Sequence, residues 1–389
     1  MARAKVNKSA QHARYRPTPP SPQELLWQTG VAGGIVFVNA DADRLFWYAA
    51  ENTEVGPFAA NVPATRVIAG TKFLQCWGSR QNRIAESERI DVDGGGSPWE
   101  HNNGLTVTAN AANRPNGDAT ADQLNHAAAG NSNSQQALSG AFDDDANIVA
   151  SVYDKVSSGT EDWRFQLFGK FGAGTAILQT ATTSWQRRYY SQDIGSGGVN
   201  PTISLRNASD ALARSVLHAT PQYEGGDGES IYYPGPPIRT GSTPKTKPGD
   251  LAYTDTPPSW LCAGKFDVQV FGDWVTSEVQ DGDTHEVLHM DAFNFLRIKK
   301  GGGNLQAVMQ SNGLQIGKVI TLDSRQQIAT LTVDFTAGSL TVAGATTGNG
   351  TVSNSSMLPW PIKRTYIGCD ANGADNFNGG IGEPLRVAA

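Results

Sequence analysis

The sequence predicts an all-β protein in which tandem β-sandwiches follow an extended N-terminal arm. Glycine (43) and proline (20) are abundant among the 389 residues, and charged residues make up only 17%. This composition is typical of many short strands joined by many turns. Segments that alternate apolar and polar residues recur from residue 104 onward, as expected for strands with one buried face. The length favours two or more domains, and no long helix pattern is convincing.

Residues 1–33 are predicted to form an extended basic arm. Arg3, Lys5, Lys8, Arg14 and Arg16 lie in the first twenty residues, which contain no acidic residue and several prolines. In a chain of net charge −6, such an arm suggests docking onto an acidic neighbour, and a solvated terminus is the alternative. The start lacks the apolar core of a secretory signal.

The next two segments are a β region over residues 34–97 and a first sandwich over residues 98–225. Two apolar runs around a polar turn predict a hairpin within residues 34–48. In the first sandwich, residues 163–168 (WRFQLF) place Trp163, Phe165 and Leu167 on one face of a strand. Such a face requires a second sheet to cover it.

A connector over residues 226–260 and a second sandwich over residues 261–389 complete the chain. The prolines of the connector predict a stiff spacer without central strands. In the second sandwich, strands are predicted around residues 265–271, 293–298 and 305–309, with Gly301, Gly302 and Gly303 as a hairpin turn. Residues 328–335 and 339–342 predict a hairpin. The closing strings TYIGC (365–369) and FNGGIGE (377–383) predict two strands joined as a last hairpin.

Several strings, in the same order along the chain, resemble bacteriophage structural proteins. The strings are GSRQN (78–82) with Ser87, Glu88 and Trp99, TVTANA (106–111), RPNGDATADQL (114–124), SWQRRY (184–189) and QYEGG (222–226), followed by the connector prolines. The tail resembles the last strands of concanavalin A / laminin G-like domains. The resemblance implies a carbohydrate-binding-module-like jelly roll over 98–225 and a concanavalin A / laminin G-like sandwich over 261–389.

The function that this resemblance implies is a non-enzymatic virion structural protein on the phage particle surface. It would be a capsid decoration protein, head fibre or tail appendage that displays glycan-binding jelly rolls. Its expected partners are other virion proteins through the arm, host or environmental glycans, and further copies of itself, with a trimer as the first choice. The alternatives are a glycan-degrading tail-spike enzyme and a cellular lectin or adhesin. The absence of a paired-carboxylate strand motif argues against the enzyme, and the few cysteines argue against the adhesin.

Composition also argues against other partners. The net charge of −6 and the isoelectric point near 5.5 argue against nucleic acid. No apolar run is long enough to predict a membrane span.

Cys76, Cys262 and Cys369 are too few and too far apart for a disulfide framework or a zinc site, and we expect them to be buried thiols.

One string raises the question of catalysis. His285, Glu286 and His289 spell the H-E-x-x-H of zinc proteases, which requires a helix so that both imidazoles share one metal. The surrounding sequence predicts a strand, on which we expect Glu286 to point away from the two histidines. We therefore predict no catalytic and no cofactor-binding residue.

Two acidic turns and six aromatic residues are the remaining site candidates. Asp143–Asp145 and Asp281 with Asp283 are either solvated turns or part of a structural calcium site. Beyond that alternative we predict no cofactor and leave the metal open. Sugar binding requires aromatic rings exposed on a sheet face or loop. The candidates are Trp163, Trp185, Tyr189, Tyr190, Trp274 and Trp360, each weighed against burial in the core.

Overall fold

A computed structural model describes most of the chain. The described residues are 35–41, 44–48, 53–68, 70–93, 98–118, 120–128, 131–138, 147–168, 176–193, 201–209, 211–225, 231–373 and 375–387. The predicted arm over residues 1–33 and the acidic turn Asp143–Asp145 lie outside them. No helix in the described ranges is long and apolar enough to cross a membrane.

Strands dominate the described ranges, which confirms the predicted all-β class. The strands up to the connector are β1 (Val36–Val38), β2 (Arg44–Tyr48), β3 (Thr53–Phe58), β4 (Thr65–Ile68), β5 (Thr71–Cys76), β6 (Arg80–Asn82), β7 (Glu100–Asn102), β8 (Thr106–Ala112), β9 (Ala121–His126), β10 (Asn133–Ala137), β11 (Asn147–Lys155), β12 (Glu161–Phe168), β13 (Ala176–Ala181), β14 (Gln186–Asp193), β15 (Thr202–Asn207) and β16 (Arg214–Glu224). The later elements are β17 (Lys245–Lys247), β18 (Leu251–Thr254), α1 (Ser259–Ala263), β19 (Lys265–Gly272), β20 (Thr284–Asp291), β21 (Asn294–Gly301), β22 (Asn304–Ser311), β23 (Leu314–Val319), β24 (Ala329–Asp334), β25 (Ser339–Ala343), β26 (Gly350–Ser353), β27 (Thr365–Ile367), β28 (Gly379–Gly382) and β29 (Leu385–Arg386).

The first sandwich consists of two five-stranded sheets. One sheet has the order β13-β12-β15-β10-β7, and the other has the order β14-β11-β16-β9-β8. Alternate residues of the central strands meet between the sheets, including Trp163, Phe165 and Leu167 from β12 and Ile148 and Val152 from β11. The predicted core face of β12 is therefore confirmed.

The second sandwich pairs a seven-stranded sheet with an eight-stranded one. The seven-stranded order is β1-β18-β27-β20-β21-β22-β23. The other sheet has the order β26-β25-β24-β19-β28-β5-β4, with β29 paired to β19. The predicted hairpin β24–β25 is present in register Leu331↔Val342, and glycines 301–303 form the turn between β21 and β22.

The strand pairing does not follow the prediction that the domains succeed one another along the chain. Strands β1, β4 and β5, from the predicted N-terminal β region, belong to the second sandwich. The first sandwich is therefore inserted between β5 and β18 of the second. Alternation of residue types shows which face of a strand is buried but not which distant strand it pairs with, so Cys76 opposite Gly379 was not visible in the sequence.

Two predicted hairpins are wrong for the same reason. β1 pairs with β18 and β2 pairs with β3, so residues 34–48 do not close on themselves. At the tail, β27 lies in the seven-stranded sheet and β28 in the eight-stranded sheet. Gly368, at φ +71, makes this crossing, and a Cβ there would lie 2.6 Å from Cys76 Sγ. The three cysteines are buried and free, as predicted.

The connector is more than a spacer. β17 pairs with β6, and β18 is a central strand between β1 and β27, which contradicts the prediction of no central strand. Residues 231–241 pack onto the first sandwich: Ile231 N–H donates to Asn147 O (2.8 Å) and Ile238 N–H donates to Gln222 Oε1 (2.8 Å). The prolines of the connector lie before and after β18 but not within it, so its own N–H groups are free to pair.

Candidate functional site

A straight line of side chains crosses the outer face of the seven-stranded sheet. Each of the seven strands contributes one directly paired residue, in the order Val36, Tyr253, Tyr366, His289, Phe295, Gln310 and Gln315. We call these residues the transverse row. Four consecutive members are aromatic rings.

The neighbouring line of paired residues shows which way the transverse row faces. One residue along each strand, the pairs run Phe37, Ala252, Ile367, Leu288, Leu296, Met309 and Ile316, and all of them belong to the sandwich core. Successive side chains of a strand point to opposite faces. The transverse row therefore lies on the face directed away from the core.

The aromatic part of the row is accessible at one end. Tyr253 and Tyr366 are half-buried, and their ring centroids lie 5.8 Å apart. Tyr366 and His289 follow at 6.4 Å, while His289 and Phe295 are buried. The Arg364 guanidinium lies 4.3 Å from the Tyr253 ring centroid and is hydrogen-bonded to Asp255 (2.6 Å). Two adjoining tyrosine rings with charged neighbours thus face outward.

A buried carboxylate adjoins the buried end of the row. Glu286 is fully buried, and its Oε1 accepts from Arg297 Nη2 at 3.0 Å and lies 3.3 Å from His289 Nδ1. Its Oε2 has no hydrogen-bond partner among the described residues. Burial raises the pKa of Glu286, against the opposing effects of His289 and Arg297. The site therefore holds an acceptor atom whose hydrogen-bonding capacity is unused.

The H-E-x-x-H string lies on β20, and a β-bulge divides it. The pairing register shifts between Glu286 and Leu288, so one extra residue separates them. Glu286 and His289 consequently share the outer face, and the prediction that Glu286 points away from His289 is wrong. His285 lies on the other side, stacked on Trp274 at 4.5 Å. Across the described part of this strand the two imidazoles do not converge as a zinc-protease helix requires.

Most sequence-predicted aromatics are core residues. Trp163, Trp185, Trp274 and Trp360 are buried. Their indole N–H groups are occupied: Trp163 donates to Asp154 (2.7 Å), Trp185 to Asn113 O (3.1 Å), Trp274 to Phe377 O (3.1 Å) and Trp360 to Gln310 O (2.8 Å). The core alternative therefore holds for these four tryptophans.

The adjacent tyrosines of β14 divide between two environments. Tyr190 packs against the first core, and Tyr189 is 39% exposed. Tyr189 contacts the second sandwich, where its hydroxyl donates to Glu278 Oε1 at 3.3 Å. Neither belongs to the transverse row.

The acidic turn at Asp281 is an ordinary hydrogen-bonded turn. Asp281 accepts from Gly303 N–H at 3.0 Å, and Asp283 accepts from Gln280 N–H at 2.8 Å. Among the described residues no group of three or more His, Cys, Asp or Glu could hold a metal ion. The calcium alternative for Asp143–Asp145 stays a prediction, since those residues lie outside the described ranges.

Sequence reasoning missed Tyr253 and Tyr366. Both alternate with core residues, Ala252 and Ile367, so each was visible as a residue opposite a buried one. Their proximity depends on β18 pairing with β27, more than 100 positions away, which no local pattern reveals.

Comparison with known proteins gives only distant structural matches. No protein-family model matches the chain, and no curated protein matches it. The matching solved structures include the CBM22-1 xylan-binding domain of Paenibacillus barcinonensis Xyn10C (16% identity, TM-score 0.27, 38% of this chain and 92% of that chain). They also include the CBM22-1–CBM22-2 tandem of the same protein (12% identity, TM-score 0.30, 79% of this chain and 99% of that chain). A third match is the enzymatically active domain of tailspike protein 4 of bacteriophage CBA120 (12% identity, TM-score 0.28, 37% of this chain and 21% of that chain). Identities and TM-scores this low support no argument about what this chain binds.

Proposed function

We propose that this chain is a non-enzymatic, glycan-binding structural protein of a bacteriophage particle, with the transverse row as its binding face. The observation that carries the glycan-binding part is the pair Tyr253 and Tyr366, two adjoining half-buried rings on an outward sheet face. Flat rings with polar hydroxyls provide an apolar surface for a sugar ring and a hydrogen bond for its hydroxyls.

The polar surroundings support a polyhydroxylated ligand. Glu286 Oε2 is an unused acceptor, while Arg297 and Arg364 supply donors near the rings. Buried polar groups normally have partners, and a ligand hydroxyl that reached Oε2 would supply one. The row runs across the strands, so a glycan on its accessible end would contact β1, β18 and β27 at once through Val36, Tyr253 and Tyr366.

The collinear strings between residues 78 and 250 support the phage part of the proposal. The basic arm would dock the chain onto other virion proteins, and the sandwiches would project from the particle. Weak binding by each copy suffices in that setting, because many linked copies raise the overall affinity greatly. A homo-oligomer, with a trimer as first choice, would meet this requirement.

Glycan binding is tested with purified chain and a panel of bacterial capsular polysaccharides and plant xylan. We expect affinity electrophoresis to show retardation by at least one polymer and Tyr366→Ala to weaken binding about tenfold, equivalent to about 1.4 kcal/mol. Phe293→Ala is the matched control, because Phe293 is 62% exposed at the β20–β21 turn and outside the row. Equal losses in both variants, or no retardation by any polymer, would refute the binding face.

The non-enzymatic and virion parts need separate measurements. Release of reducing ends or unsaturated products from a bound polymer would favour the tail-spike alternative. Antibody labelling of negatively stained particles locates the chain, and a particle preparation without label would contradict the virion role. Deletion of residues 1–22 should abolish incorporation, and unchanged incorporation would dismiss docking by the arm.

A further inference from the structure

A concave site separate from the transverse row lies where the two sandwiches meet. The cleft has a volume of about 560 Å³ and is bordered by residues 78–80, 231–233, 282–285, 373, 375, 376 and 378. Residues 78–80 lead from β5 of the second sandwich into β6. Residues 231–233 bridge the two sandwiches, since Ile231 N–H donates to Asn147 O and Tyr233 belongs to the second core. The remaining lining residues belong to loops and strands of the second sandwich. This junction cleft shares no lining residue with the transverse row.

His285 gives the cleft an unused acceptor. Its Nδ1 lies 3.3 Å from Asn376 O, and since a carbonyl can only accept, Nδ1 carries the proton. Burial lowers the pKa of His285 to about 4, so the ring is neutral at pH 7. Nε2 is then a lone-pair acceptor, and it has no partner among the described residues although His285 is only 2% exposed.

Asn376 gives the cleft a second unused acceptor. Its side chain is 6% exposed, and Nδ2 donates to Gly373 O at 2.6 Å. Its Oδ1 has no partner within the described part of the chain. Two nine-tenths-buried side chains of the same wall therefore present acceptors that have no partner among the described residues, and a ligand with donors would satisfy them.

The charges around these acceptors are mainly negative. Asp283 and Asp375 line the same cleft. Burial, with the nearby charges of Asp370 and Asp283 among the other causes, raises the pKa of Asp375. The cation of the opposite wall, Arg80, lies 3.9 Å from Glu224 and 5.2 Å from the Tyr233 ring centroid, so Glu224 offsets part of its charge.

We propose that the junction cleft binds a primary ammonium group, carried by an amino sugar or by a lysine side chain. An ammonium has three donors and no acceptor, which complements a wall of acceptors and carboxylates. A neutral hydroxyl would bring an acceptor with each donor and would leave the negative charge unbalanced. The cleft would bind this group independently of the transverse row.

Isothermal titration with glucosamine and N-acetylglucosamine tests the charge directly, because the two share a ring and differ at the nitrogen. We expect saturable binding of glucosamine and at least tenfold weaker binding of N-acetylglucosamine. Nα-acetyl-lysine methylamide and its Nε-acetylated form give the second comparison. The tighter of the two amines identifies the source of the ammonium, and equal binding of charged and acetylated forms, or no binding of either amine, would overturn the proposal.

Variants locate the site. Asp283→Asn should weaken amine binding at least tenfold, while Asp281→Asn should leave it unchanged, since Asp281 lies in the same turn, bonds Gly303 N–H and does not line the cleft. Should Asp283→Asn fail to fold, displacement of glucosamine by methylammonium in the unmodified chain still tests whether the ammonium group is what the chain recognises, and failure to displace would contradict the proposal. Tyr366→Ala should retain amine binding, so failure of the transverse row and failure of the cleft are distinguishable. Equal effects of the two aspartate variants would contradict the assignment.

Discussion

Each sandwich contains a fully buried carboxylate, and the two carboxylates differ in how they are held. Asp154 in the first sandwich accepts from Trp163 Nε1 at 2.7 Å, and Arg188 Nε lies 3.2 and 3.1 Å from its two oxygens. Glu286 in the second sandwich uses Oε1 for Arg297 and His289, while Oε2 has no partner among the described residues. Burial raises the pKa of both.

The difference separates a structural group from a candidate binding group. A buried charge with all its hydrogen bonds made is tied to its surroundings, and removal of one partner leaves the others uncompensated. A buried acceptor with a free position can exchange partners with a ligand at little structural cost. By this criterion Asp154 serves the fold of the first sandwich, and Glu286 is the candidate binding carboxylate of the second.

The largest effect is expected from removing the charge of Asp154. Asp154→Asn removes the charge that pairs with Arg188 and leaves a single oxygen to accept from both Trp163 Nε1 and Arg188 Nε, so we expect a loss of about 3–5 kcal/mol in the free energy of unfolding. Glu286→Gln also removes the charge paired with Arg297, but it keeps an oxygen for Arg297 Nη2 and loses no partner at Oε2, so its loss in the free energy of unfolding should be smaller than that of Asp154→Asn. Urea denaturation at pH 7 measures both.

Equal losses in these two isosteric variants would show that Glu286 is as firmly built into the fold as Asp154. The two carboxylates would then not differ in role. Glycan affinity gives a second check, since Glu286→Gln should weaken polysaccharide binding while Asp154→Asn, where folded, should not.

The contrast between features set by neighbouring residues and features set by distant strand pairing shows what the sequence could predict. Alternation predicted the strands β19, β21, β22, β24 and β25 and the core face of Trp163, because those depend on neighbours along the chain. It could not predict that β5 joins β28, nor that one extra residue at Val287 turns Glu286 toward His289. The transverse row depends on six strand pairings, so each correct strand prediction still left the site invisible.

An effect of intermediate size, on the pH dependence of stability, is expected from His218, a buried histidine of the first sandwich. Its ring lies edge-on to Trp163 at 4.6 Å, and burial, with a smaller contribution from His126, lowers its pKa to about 3. The folded chain therefore keeps His218 neutral, and its contribution to stability is full above about pH 6.5 and is lost as pH falls toward 3. When the pH is lowered from 7 to 4.5, the free energy of unfolding of the unmodified chain should fall by about 2–3 kcal/mol more than that of His218→Phe.

Urea denaturation of both proteins at each pH gives this difference. Asp122 and Asp273, whose pKa values burial raises to about 6, act in both proteins and cancel. Parallel stability curves for the two proteins would show that His218 is protonated in the folded state, and would contradict its burial as a neutral ring.

The smallest effect is expected at Tyr189, the exposed aromatic of the first sandwich. Its ring lies 4.5 Å from the Arg325 guanidinium carbon, and its hydroxyl bonds Glu278, which is itself paired with Arg325 at 2.5 Å. These partly exposed contacts join the sandwiches weakly, so Tyr189→Ala should cost about 1 kcal/mol or less in unfolding free energy. Polysaccharide and amine affinities should stay unchanged, because Tyr189 borders neither the transverse row nor the junction cleft. A loss of polysaccharide binding like that of Tyr366→Ala would instead place the glycan on the first sandwich, and the difference between Asp154 and Glu286 would then concern stability alone.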